Sequence, residues 1–281
     1  MSMLDDSLIS RVAPPGSMRY FSLLYTPAAQ RGPLTALLVI EAEIRESACN
    51  VNHDVAHTRL SWWRMEVDRL MHGNAQHPAT RVLQATASLQ PDHWSLLHEL
   101  LSAADMDLLR LTYHSMDELQ AYCARSGGAV MELAALQLLP PSAADATLRS
   151  VVNRMGGAVR QTEILRDVRQ DCRAGRLYLP LDILQRHGIA LADLQQSQFS
   201  PATQAALQDY HAAVLRRFDA AVAALARTVH ALLRPLLVVA ALHRRLLLRI
   251  ANSIGRLAGE RVELGPIEKP WVAWRAATQA R

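Results

Sequence analysis

Apolar residues recur along this chain at three- and four-residue intervals, the signature of helices with one buried face. The pattern predicts a helix through RYFSLLY that halts at Pro27, a second from Gly32-Pro33 through LTALLVIEAEIRESACNV, and a third from His53 to Met71 ending at Gly73. Further helices are expected over Pro78–Leu89, Pro91–Ala103 and Asp105–Leu111. A longer one starts at Ser115, where Ser115 and Glu118 fit a capping box, and stops at Pro140-Pro141. Beyond residue 150 the pattern gives helices over Arg154–Arg173, Pro201–His230 and Pro235–Leu257, then a turn and a final helix in the tail. No run alternates with period two and no hairpin signal separates apolar segments, so the fold class is all-α. Residues 1–16 read as a loose arm ending in PPG, and 17–281 as one helical domain, with no linker or repeat.

Composition agrees. Half of the 281 residues are hydrophobic but only 5% are aromatic, and glycines number 12. A net charge of +4 suits an anionic ligand or an acidic membrane surface, and no basic cluster with interleaved aromatics argues for nucleic acid. The three cysteines are widely spaced and read as reduced thiols. The start, MSMLDDSLIS, has no apolar signal region, and no apolar run is long enough to span a bilayer. A cytoplasmic protein is expected, with peripheral contact at the inner membrane surface left open.

The candidate chemistry lies in RMGGAVRQTEILRDVRQDCRAGRLYLP, residues 154–180. On one helix Glu163, Asp167 and Asp171 are spaced i, i+4, i+8 and share a face. Arg160, Arg166 and Arg173 flank them, and Arg176 follows Gly175, where the helix should stop. Acids for a hard divalent ion beside arginines for phosphate oxygens make a diphosphate site. The bland alternative is a solvated face with local Arg–acid pairs. Gly127-Gly128 and Gly156-Gly157 suggest a close helix crossing or a kink.

The string ILRDVRQDCRAGRLYLP resembles the second aspartate-rich motif of the squalene/phytoene synthase family, with Glu163 where that family usually has Asn. MDELQAYCARSGGAV and the block from Ala241 through Lys269 to the tail resemble further segments of the same family. The resemblance implies an isoprenoid-synthase helical bundle. In it, two acidic motifs would face each other across a cavity and bind Mg²⁺ and a prenyl diphosphate of farnesyl or geranylgeranyl type. Carried onto this chain, Asp167, Asp171 and Glu163 are metal-ligand candidates, with Glu46 a weak opposing ligand. Arg166, Arg176, Tyr178, Glu43, Arg45 and Lys269 are substrate-binding candidates.

The first acidic motif departs from that pattern. Its positions fall on Arg45, Glu46, Ser47, Ala48 and Cys49, so a guanidinium stands where a metal ligand belongs. Two family tyrosines fall at Ala124 and His243. Glu43, Glu46 and Asn50 share a helical face and offer a rebuilt oxygen site; pairing of Arg45 with Asp167 or Asp171 would instead replace the ion. EAEI and Arg59–Arg64 resemble a divergent branch of the family that includes a respiratory complex I assembly factor. Two functions therefore stand: a Mg²⁺-dependent prenyltransferase of isoprenoid biosynthesis, or a catalytically inactive member binding a lipid-like molecule or a protein partner. Trp62 and Trp63 read as packing, and Lys269 by default as solvated.

Overall fold

The computed structural model describes residues 6–85 and 89–280, and among them there are helices and no strands. The order is α1 (Asp6–Val12), α2 (Met18–Leu24), α3 (Ala28–Ala48), α4 (His53–Met71), α5 (Pro78–Gln84), α6 (Ser95–Leu108), α7 (Met116–Cys123) and α8 (Ala129–Leu138). It continues with α9 (Ala146–Arg166), α10 (Val168–Arg173), α11 (Leu181–Arg186), α12 (Leu191–Leu194), α13 (Pro201–Ala223), α14 (Arg234–Ala251) and α15 (Glu268–Gln279). Short 3₁₀ turns join several of these, and a π turn over Ala124–Gly128 links α7 to α8.

The helix boundaries follow local chemistry. The Ser17 hydroxyl accepts from the Tyr20 amide to cap α2, and the Asp145 carboxylate accepts from the Leu148 amide at 2.7 Å to start α9. The box expected at Ser115 is present in a shifted form. Ser115 Oγ accepts from the Glu118 amide, while the Glu118 carboxylate accepts from the amide of His114, one residue earlier. Gly73 and Gly175 take φ of +76° and +75°, which ends α4 and α10 at little steric cost.

α9 occupies the centre of the bundle, packed against α8, α13, α14 and the π turn. Val151, Val152, Met155, Ala158, Ile164 and Leu165 bury its apolar positions, and Gln161 and Thr162 are buried with them. The crossing with the π turn is set by glycine. A Cβ on Gly127 would sit 2.6 Å from the Gly156 carbonyl oxygen, and one on Gly156 would strike the Gly127 carbonyl. The expected glycine contact is thus a backbone-to-backbone approach, and the extra π residue lets the chain follow α9 across it.

Several expected boundaries shift. The arm expected over 1–16 is, from residue 6 on, helix α1 and its turn, with Val12 and Ala13 buried and Arg11 bonded to Glu43 on α3. The motif helix starts at Ala146, well before Arg154, because Asp145 caps it there. It also breaks at Asp167, whose φ of −100° and ψ of 11° divide α9 from α10, although the Glu163 and Asp167 carbonyls still accept from the amides four residues on. α13 ends at Ala223 and α14 at Ala251, each earlier than the periodicity suggested. The helix expected to reach Leu89 ends at Gln84, and residues 86–88 lie outside the described set.

Candidate ligand pocket

Helices α2, α3, α8, α9 and α14 enclose a cavity of about 100 Å³. Leu34, Leu37, Leu38, Val130, Met131, Val159, Leu236 and Val239 make its body apolar, and Arg19, Glu41, Arg45, Arg160, Glu163 and His243 make one end charged. The apolar positions on α3 recur at helical spacing, so the face that carries Leu34, Leu37 and Leu38 also carries Glu41 and Arg45.

The charged end is a chain of ion pairs. Glu41, almost fully buried, accepts from Arg19 and from Arg45, each at 2.8 Å. The Arg45 guanidinium then stands 3.6 Å from the Glu163 carboxylate, which is also 3.5 Å from Arg160 and 3.7 Å from His243 Nε2. His243 Nδ1 lies 2.9 Å from the Val239 carbonyl and, as the donor in that contact, holds the ring in place. Burial works to raise the Glu163 carboxyl, but the His243 ring and the guanidiniums of Arg45, Arg166 and Arg160 outweigh it and hold it well below the usual carboxylate range.

Behind this end lies a polar nest that sequence reasoning missed. Arg160 donates to the Tyr122 hydroxyl at 3.1 Å. Tyr122 and Tyr178 both donate to Asp107, at 2.9 and 2.7 Å. The Arg160 guanidinium also lies over the two tyrosine rings, 5.8 and 5.3 Å from their centroids. Asp107 on α6 and Tyr122 on α7 come from helices remote in sequence from the motif, and their spacing announces nothing. Glu41 and Arg19 were missed too, although the i, i+4 spacing of Glu41 and Arg45 was a usable signal.

The remaining candidates divide. Asp167 turns away from the cavity. Arg166 grips it at 2.9 and 2.5 Å and Arg261 at 2.8 and 3.3 Å, in a separate basic depression that also includes Arg169 and Arg173. Burial raises its carboxyl, and the hydrogen bond from Arg166, with the charges of Arg166 and Arg261, more than reverses that. Asp171 is half-buried with no side-chain partner among the described residues, and burial pushes its pKa up to about 6. Arg176 carries a buried Nε without a hydrogen-bond partner. Tyr178 belongs to the nest, not to the cavity lining. Glu43 is taken by Arg11 and His77, Glu46 is exposed, and neither lines the cavity, because the α3 face turned inward is that of Glu41 and Arg45. Lys269 sits 3.9 Å from Glu263 and is likewise absent from the lining. Arg45 does not bond Asp167 or Asp171; its partners are Glu41 and Glu163. Trp62 and Trp63 pack edge-on with each other and against His77.

The charged residues at the end of the cavity do not fit the implied Mg²⁺; Asp171, outside that lining, has no side-chain partner among the described residues. Among the described residues no three His, Cys, Asp or Glu side chains converge as a metal site. Of the acids, Glu41, Glu163 and Asp167 are already neutralised by guanidiniums, and the opposing helix presents Arg45. A hard cation brought there would have to displace a like charge.

A family model described as squalene/phytoene synthase matches residues 12–268. A phytoene synthase from Mycobacterium tuberculosis is 30% identical over 173 residues, which is 61% of this chain and 56% of that protein. Phytoene synthase 3 from Zea mays is 31% identical over 148 residues, 52% of this chain and 34% of that protein. The matched stretch thus spans about half or less of these relatives. Among solved structures, a dehydrosqualene synthase in complex with ligand superposes with a TM-score of 0.81 at 17% identity, covering 97% of this chain and 94% of that one. The squalene synthase HpnC from Alicyclobacillus acidocaldarius gives 0.72 at 18% identity, covering 89% of this chain and 97% of that one. Those two likenesses carry the fold, all-α and of isoprenoid-synthase type, and the match over residues 12–268 carries the family. The chain belongs to the squalene/phytoene synthase family.

Proposed function

We propose that this chain binds a prenyl diphosphate of farnesyl or geranylgeranyl type, or an isoprenoid-like anion of similar shape, and holds it without metal-assisted ionisation. The hydrocarbon would lie against Leu34, Leu37, Leu38, Val130, Met131 and Val239, and the head group would engage Arg19, Arg45 and Arg160. One observation carries this reading: the Arg45 guanidinium stands at the charged end of an apolar cavity, 3.6 Å from Glu163. Guanidinium groups match phosphate oxygens in geometry and charge, so a phosphate can take the place of Glu41 or Glu163 on Arg45. Arg supplies donors and charge but no Lewis acidity, so the site supports capture of a diphosphate better than its departure. The cavity is smaller than the roughly 300 Å³ of ordinary ligand sites, and its walls must part to admit the tail. The family's prenyltransferase chemistry is the background of this pocket, and a lipid-binding or assembly role is its use here.

A second reading, Mg²⁺-dependent prenyl transfer, has one feature in its favour. Asp171 is a half-buried carboxyl without a partner, and a divalent cation would offset its charge.

Calorimetry with a non-hydrolysable farnesyl diphosphate analogue, with and without Mg²⁺, separates the two readings, alongside incubation with farnesyl and geranylgeranyl diphosphate and extraction of hydrocarbon. Metal-independent binding that is lost in Arg45→Leu, with no C30 or C40 product, is the expected result. Mg²⁺-dependent product that disappears in Asp171→Asn would establish the second reading in its place. Failure to bind under either condition removes both.

A further inference from the structure

The most exposed aromatic surface lies away from the pocket, on the C-terminal helix. Trp271 and Trp274 of α15 are 58% and 51% exposed, and Ile267, just before the helix, is 84% exposed. Ala273 and Ala277 face inward and are buried, so α15 is two-sided, with its large apolar side chains on the outside. A helix that only served to close the bundle would put its indoles inward, because each buries a large area. Here the two rings pack on each other, centroids 5.1 Å apart, instead of on the core.

What surrounds them is cationic. A groove between α14 and α15 is lined by Trp271, Arg244, Arg245, Arg275 and Glu268, and Arg249 reaches Glu268 from α14. Arg244 is paired with Asp219, while Arg245 and Arg249 share the single carboxylate of Glu268. The exposed Arg275 side chain has no hydrogen-bond or ion-pair partner among the described residues. Four guanidiniums thus meet two carboxylates, and the rim stays positive beside the indoles. Indoles favour the level of lipid head groups, where the ring is in the apolar layer and its N–H in water, and long arginines extend from such a level to phosphates. A protein partner of ordinary polarity would meet the tryptophans but leave the excess charge unmatched.

We infer that the outer face of α15, Ile267, Trp271 and Trp274 with the Arg245, Arg249 and Arg275 rim, docks this protein on an anionic lipid surface. The helix lies in the plane of the head groups with its indoles inserted, held by buried apolar area together with attraction to anionic phosphates. α15 packs on α14 and α2, two walls of the cavity, so docking would bring the lipid surface close to the pocket.

Sedimentation with vesicles tests this directly, using the full chain with phosphatidylcholine alone and with phosphatidylcholine plus phosphatidylglycerol. Binding is expected to the anionic vesicles only, with a blue shift of tryptophan emission and weakening at high salt. The double variant Trp271→Ala/Trp274→Ala should lose at least tenfold in partition, and Arg275→Glu should lose severalfold while keeping the emission shift of what remains bound. Both carry exposed substitutions, and circular dichroism checks that they fold. Equal partition of wild type and double variant, or no preference for anionic vesicles, overturns the inference. So does a concentration-dependent dimer that buries the indoles without vesicles, which would assign the face to a second copy of this chain.

Discussion

Arg45 on α3 and Glu163 on α9 face each other at 3.6 Å across one end of the cavity, 118 positions apart in the chain yet within ion-pair distance. A cation supplied by the protein stands opposite the second acidic motif, and the pair ties together α3 and α9, two of the helices that wall the pocket.

Removing that cation should expose how much the network contributes. Arg45→Leu leaves Glu41 with Arg19 alone and deprives Glu163 of one guanidinium. A broken buried pair costs about 3–5 kcal/mol, and the 31% exposure of Arg45 brings the loss below that range, to about 2–3 kcal/mol. Urea unfolding measures it. Arg45→Lys should recover only part, since an ammonium cannot reach Glu41 and Glu163 in the same planar geometry.

The glycine crossing should tolerate nothing larger. In Gly127→Ala the new methyl would meet the Gly156 carbonyl at 2.6 Å and Arg160 Cβ at 2.9 Å, so backbone must move on both sides. An overpacking cost of about 2 kcal/mol is expected, read as a lowered denaturation midpoint with an unchanged slope.

Asp171 should oppose folding at neutral pH. An acid whose folded pKa is above its unfolded value holds more protons folded than unfolded, so its contribution worsens as pH rises. The change runs from the unfolded value of about 4 up through about 6. Asp171→Asn is therefore expected to stabilise by about 2 kcal/mol near pH 7 and by nothing below about pH 4. Denaturation curves at several pH values decide it. If Mg²⁺ binds at Asp171, wild type but not the variant will gain stability on its addition.

Glu66 should act in the opposite direction. It is fully buried and accepts from the amides of Gln76 and His77, from Thr80 at 2.5 Å and from Arg69 at 3.1 Å. Burial pushes its carboxyl up, and those bonds together bring it below the ordinary value. Its stabilisation is thus full above about pH 4.3 and fades as pH falls through the lowered pKa. Glu66→Gln should cost about 2 kcal/mol at neutral pH, and less in acid, where wild type loses the same interaction.

The spacing of apolar residues was enough to determine an all-α chain, and residue chemistry the caps at Ser115 and Gly175, because each depends on neighbours a few residues away; the glycine pairs marked a close crossing or a kink, and only packing set Gly127 against Gly156. The same local rules put Glu163, Asp167 and Asp171 in one column, and the helical hydrogen bonds from 163 to 171 do persist. Only the tertiary structure decided what each carboxylate meets. A backbone break at Asp167 and an arginine 94 positions later turn that side chain to a separate basic depression, while Arg45 and His243, brought in by α3 and α14, claim Glu163. Periodicity specifies which face a residue shares. The partner across that face is selected by how the helices pack, and a guanidinium delivered from a distant segment can occupy a place that spacing alone would assign to a metal ion.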